Sequence, residues 1–121
     1  MKKLILLSSL ILVLFPSLCF AFDVTLAWDP SSSQDIKEYV VHYDTVSGSP
    51  KSNSMVAGDL LEFVVPNLVE GTLYYFHVTA KDWEGRESGP SNEVRTDGIV
   101  TPDSGEDPMA PGGCYVKTIE S

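Results

Sequence analysis

Val24 to Trp28 runs apolar, polar, apolar, small, apolar, the period-two pattern of a strand with one buried face. Asp29-Pro30 and three serines end it. Tyr39, Val41 and Tyr43 then alternate with Val40, His42 and Asp44, predicting a second strand with two tyrosines and a valine inward and the histidine outward. Ser47-Gly48-Ser49-Pro50 turns the chain, and a weaker extended stretch runs near Ser54 to Ala57 until Gly58-Asp59 breaks it. Leu61, Phe63 and Val65 alternate up to Pro66, which is expected to close that strand. After Glu70-Gly71 comes the strongest pattern, Tyr74, Phe76, Val78 and Ala80 alternating with Tyr75, His77 and Thr79. Asp82-Trp83-Glu84-Gly85 is the next turn, and a last strand is expected over Ser91 to Arg95. No segment after Ala21 shows a helical period of useful length.

Ahead of these strands, Lys2 and Lys3 precede an almost unbroken apolar run from Leu4 to Leu14, and Cys19-Phe20-Ala21 ends in a small residue. Basic start, apolar centre and small end make a signal peptide, with cleavage expected after Ala21. The run is short for a membrane span. Lipid attachment at Cys19 is the weaker reading, because Leu18 is large where such signals want a small residue. The mature chain then has 100 residues, one small domain, with six basic against 17 acidic side chains and a net charge of −11. Such a surface repels phosphate, which argues against nucleic acid and anionic lipid as partners, and it keeps an exported protein soluble.

Composition changes at Asp97-Gly98. From Asp97 to Gly113 the chain holds three prolines, four glycines and four acidic residues, the signature of a linker or flexible tail. Cys114 to Ile119 is mildly strand-like but too short to fold alone. The expected organisation is a signal peptide at 1–21, a β-sandwich at 22–97 and a flexible acidic tail at 98–121 with a lone cysteine. Loss of Cys19 with the signal would leave Cys114 without an internal disulfide partner, so linkage to another chain or modification is the reading for an oxidising compartment.

Short strands with turn signals about every ten residues indicate an all-β sandwich. The segments Val24-Thr-Leu-Ala-Trp28-Asp-Pro30, Asp35-Ile-Lys-Glu-Tyr39-Val-Val41-His-Tyr43, Leu68-Val-Glu-Gly-Thr-Leu-Tyr74-Tyr-Phe76-His-Val78-Thr-Ala80 and Glu87-Ser-Gly-Pro-Ser-Asn92-Glu-Val94 stand in the order that resembles a fibronectin type III domain of bacterial exported proteins. The resemblance covers about Val24 to Thr96 and implies an immunoglobulin-like fold. In it Trp28 fills the space between two sheets against Tyr39, Val41, Phe76 and Val78, and Tyr74 forms a tyrosine corner on Leu68. It also implies a strand before the Trp28 strand, and cleavage after Ala21 leaves only Phe22 and Asp23 there. The open edge could be met by the tail segment Cys114 to Ile119 folding back, by a strand from another chain, or by tolerance of the gap.

Catalysis finds no support, since no serine lies in a Gly-x-Ser-x-Gly turn and a small sandwich offers no deep cleft. His42 and His77 fall on the outward faces of neighbouring strands, yet two imidazoles are too few for a closed metal site, so surface histidines are expected and no cofactor. Asp29, Asp35, Asp44, Asp82 and Glu84 lack the ligand spacing of a calcium loop. Trp83, flanked by Glu84 and Arg86 at the end of the sandwich, reads either as a recognition anchor or as a lid folded over the sheet end, and the lid is favoured. Gly112-Gly113-Cys114-Tyr115 resembles the Gly-Gly-Cys-aromatic tails that follow similar domains in some bacterial exported proteins, and its glycines suit an accessible thiol for covalent attachment or dimerisation.

The resulting expectation is an exported, non-catalytic interaction module in the periplasm, at the cell surface or in the medium. It would bind another protein or a surface polymer, with self-association as a further outcome. The alternatives are an envelope subunit completed by strand exchange or Cys114 linkage, and an accessory carbohydrate-binding module.

Overall fold

The computed structural model describes residues 20–100 and 107–120. The predicted signal peptide, Met1–Ala21, lies outside the described residues except for Phe20 and Ala21. Among the described residues seven strands follow one another: β1 (Ala21–Asp29), β2 (Ile36–Asp44), β3 (Asn53–Gly58), β4 (Glu62–Val69), β5 (Tyr75–Asp82), β6 (Val94–Arg95) and β7 (Gly112–Glu120). They form two antiparallel sheets, one in the order β4-β1-β7 and the other β3-β2-β5-β6. The inward side chains of both sheets meet in one core that includes Val24, Leu26, Trp28, Tyr39, Val41, Val65, Leu68, Phe76 and Val78. This is the all-β sandwich read from the alternation, and Trp28 lies within it against Tyr39, with ring centroids 5.9 Å apart. Tyr74 forms the expected corner: its hydroxyl accepts a bond from the Val69 N–H at 3.0 Å, and its ring meets Phe22 edge-on.

Three local expectations change. β4 does not close at Pro66 but continues to Val69. It is an edge strand, where a proline need give up no ladder bond. The register with β1 slips between Phe22 and Val24, where Asn67 takes φ +59° and its N–H is held by Asp23 Oδ1 at 3.1 Å. The last strand of the second sheet is regular only at Val94–Arg95. Ahead of it, across Gly89-Pro90, serine hydroxyls complete the ladder. Ser88 N and Ser91 N donate to the carbonyls of Ala80 and Val78 at 2.8 Å, while their Oγ atoms accept from Ala80 N and Val78 N at 2.9 Å.

The expected flexible tail requires correction, and of the three alternatives for the open edge the fold-back of Cys114 to Ile119 is the one found. Gly112–Glu120, predicted as part of a flexible tail, is a nine-residue strand paired antiparallel with β1 from Asp23↔Glu120 to Asp29↔Gly112. It occupies the position that the implied first strand would have filled. The cause is long-range: the second edge of β1 carries backbone donors and acceptors that a partner strand pairs and that would otherwise be left to water.

Candidate functional site

The turn between β5 and β6 is built around Asp82. Its backbone N–H donates to Arg86 O at 3.0 Å and its carbonyl accepts from Gly85 N at 3.1 Å, with Gly85 in the left-handed region at φ +86°. The Asp82 carboxylate turns inward and accepts bonds from Glu84 N and Arg86 N, both at 2.9 Å, and from Arg86 Nε at 2.7 Å. Burial works to raise its pKa, but the bonds from Arg86 and Glu84 outweigh that and hold it below the usual carboxylate value. Arg86 also reaches Glu84 Oε1 at 2.9 Å.

Trp83 stands at the tip of this braced turn and is 71% exposed. The favoured lid reading therefore fails. Ile36, paired with Asp82, already packs against the core at that end, so the indole remains in solvent. Lys37 Nζ lies 5.5 Å from the indole centroid. Trp83, Glu84 and Arg86 are thus brought together with Lys37, which the sequence did not single out, in a projecting aromatic surface with both charge signs beside it.

The outward faces of β2 and β5 carry a second polar group. His42 and His77 are register partners, with ring centroids 5.1 Å apart. They are not two surface histidines: His77 is only 5% exposed. The cause is the cover supplied by Ser49-Pro50-Lys51 on one side and Glu87-Ser88 with Pro90 on the other, which with them line an open cleft of about 360 Å³. Burial, and next the neighbouring His42, lower the His77 pKa to about 4, so its imidazole is neutral near pH 7. The Thr79 hydroxyl donates to Glu87 Oε2 at 2.6 Å, while His42 Nε2 lies 2.9 Å from Thr79 Oγ1 and 3.1 Å from the same carboxylate oxygen. The hydroxyl proton points at the carboxylate and not at the imidazole, so no nucleophile–base relay is assembled. Among the described residues, no group of three or more His, Cys, Asp or Glu is arranged to hold a metal ion.

Cys114 lies on β7 with 1% exposure, inside the core. The expectation of a sterically accessible thiol does not hold in the folded chain. Burial pushes the thiol up to about 12, against a smaller opposite pull from Ser91. Asn92, to which the sequence reading gave no role beyond the family resemblance, presents its buried side-chain amide to the backbone of this residue. Its Nδ2 donates to Cys114 O at 2.8 Å and its Oδ1 accepts from Cys114 N at 2.9 Å. The reading also missed Lys51, whose Nζ gathers Val46 O, Gly48 O and Glu93 Oε2 at 3.3, 2.6 and 2.7 Å and so shapes the loop beside the histidine cleft. Position within a Ser-Gly-Pro-rich turn was the only local signal for it.

Comparison with curated proteins and with solved structures found no match. The family model for the fibronectin type III domain matches residues 22–97, which span β1 to β6 and stop before β7. Domains of this type are typically non-catalytic modules that mediate protein binding, and no catalytic domain is identified in the chain. Two facing antiparallel sheets, a core tryptophan, a tyrosine corner and the family match over most of the chain lead to one conclusion: the protein belongs to the fibronectin type III domain family.

Proposed function

We propose that the protein is an exported, non-catalytic binding module of the bacterial cell envelope or surface, which engages another protein or a surface polymer through the end of the sandwich bearing Lys37, Trp83, Glu84 and Arg86. The observation that carries this reading is the exposure of Trp83 on a turn whose backbone is locked by the inward Asp82 carboxylate. An aromatic side chain held ready in solvent loses little conformational freedom on binding, and such residues dominate interface energetics. The partner that fits offers an apolar pocket for the indole, with charged groups of both signs at its rim. Export is supported by the basic, apolar and small-residue signature of residues 1–21. A sugar platform is less well supported, because Trp83 and Tyr115, two of the exposed aromatic residues, stand on separate elements, the turn after β5 and the strand β7 of the other sheet.

The test is a photo-crosslinking amino acid placed at position 83 of the full chain in the producing cell, with Val46, exposed on a different loop, as control. A discrete adduct from position 83 that is absent from position 46 is expected. Equal adducts from both, or none from position 83, would overturn the reading.

A further inference from the structure

We propose that β7 is an exchangeable strand, and that the slot it fills along β1 also accepts β7 from a second copy of this chain. The slot is demanding about backbone and undemanding about side chains. Of the nine residues of β7 only Cys114 is fully buried, with Val116 packed partly against the core. The remaining hold is backbone pairing with β1, an ion pair of 2.7 Å between Lys117 and Glu62 at the surface, and the Asn92 amide, which meets the Cys114 N–H and C=O as a neighbouring strand would. An empty slot would leave the β1 edge and a buried amide without partners, a costly state that any well-fitting strand relieves.

Two features restrict what fits. Gly113 takes φ +59° and a side chain there would collide with the Asp29 carboxylate, so the slot calls for glycine. The next position enters the core beside Asn92 and calls for a small apolar residue. Gly113-Cys114 meets both needs, so a second copy is a complementary donor by construction. The contacts made are the same whether β7 arrives from its own chain or from a copy, and so are those just ahead of it, where Asp107 accepts from the Gly89 N–H, Pro108 O accepts from Ser32 and Pro111 is buried. Exchange is then set by protein concentration against the effective concentration of a tethered strand, on the order of mM. The dilute protein is monomeric, and chains crowded together on a surface exchange strands.

Thr25 and Thr118 are register partners across β1 and β7 and provide the test. Two full-length mature variants, Thr25→Cys with Cys114→Ala and Thr118→Cys with Cys114→Ala, are mixed, equilibrated and oxidised at about 10 μM and about 1 mM, one far below and one comparable with the effective concentration of a tethered strand. Intact mass then identifies the mixed dimer. A Val46→Cys variant in place of Thr118→Cys reports random collision, and both cysteines in one chain report whether the pair can close. Asp23 and Glu120 form a second register pair should it not. A mixed disulfide at least tenfold above the collision control at the higher concentration, near that control at the lower one, is expected. Mixed disulfide no greater than the collision control at both concentrations, with the intrachain pair closing, overturns the proposal. Sedimentation of the unmodified protein decides independently: a dimer growing with concentration supports exchange, and a monomer at about 1 mM excludes it.

Discussion

The side-chain amide of Asn92 pairs with the backbone of Cys114 through two hydrogen bonds of 2.8 and 2.9 Å, and in doing so ties the end of one sheet to the outer strand of the other. Both residues are buried. Asn92→Ala removes two bonds and leaves the Cys114 N–H and C=O unsatisfied, so a loss of about 2–4 kcal/mol is expected. Urea unfolding measures it, and a loss below about 0.5 kcal/mol, the scatter of a neutral surface change, would show that β7 is not held there.

The Cys114 thiol reports on the same contact. With its pKa pushed up to about 12 by burial, almost no thiolate exists in the docked strand at pH 8. Reaction with a disulfide reagent should be slow in the folded protein, fast in urea, and accelerated by Asn92→Ala. Equal rates in the folded and unfolded protein would show β7 undocked.

Tyr74→Phe deletes only the hydroxyl that accepts from Val69 N. The expected cost is about 0.5–1.5 kcal/mol, the net value of one hydrogen bond. An unchanged denaturation midpoint would mean that the corner contributes packing alone.

Stability should fall on acidification through a window set by His77. Its folded pKa of about 4 lies below the ordinary imidazole value of 6.5, so between these values the unfolded chain binds the proton more readily than the folded one. Stability is therefore retained above pH 6.5 and lost progressively towards pH 4, by up to about 3 kcal/mol. His42, Lys51, Glu87 and Glu93 contribute to the surrounding field. Glu87 and Glu93 are themselves held below the ordinary value of 4.5, so their own losses begin only under that pH. His77→Gln should flatten the dependence between pH 6.5 and 4.5, and an unchanged slope would place its origin elsewhere.

Trp83→Ala should leave stability within about 0.5 kcal/mol, because the indole is solvent-exposed and its contact with Lys37 lies at the surface. The same variant should lose the partner. A large destabilisation would show that the indole serves the fold and not recognition.

The alternation of apolar and polar residues determined four long strands and their inward residues, because side-chain direction along a strand is a local property with a period of two, and the resemblance to the family brought Trp28, Tyr39, Val41, Phe76 and Val78 together in one core. The spacing of Leu68 and Tyr74, met in a chain that resembles this family, likewise made the corner legible. Pro66 misled because a proline tells against a strand only in a sheet's interior, and which strand forms an edge is a fact of topology. His77 sits at an outward position and is nonetheless buried, because segments distant in sequence fold across that face. Trp83 is exposed because it stands at the tip of a turn braced by Asp82, which no local pattern distinguishes from a lid. Cys114 to Ile119 reads as mildly strand-like, but its pattern is too weak to choose among the three alternatives for the open edge. Its state was decided by the tertiary structure alone, by the unpaired edge of β1 and the waiting amide of Asn92, both of which exist only once the rest of the sandwich has formed.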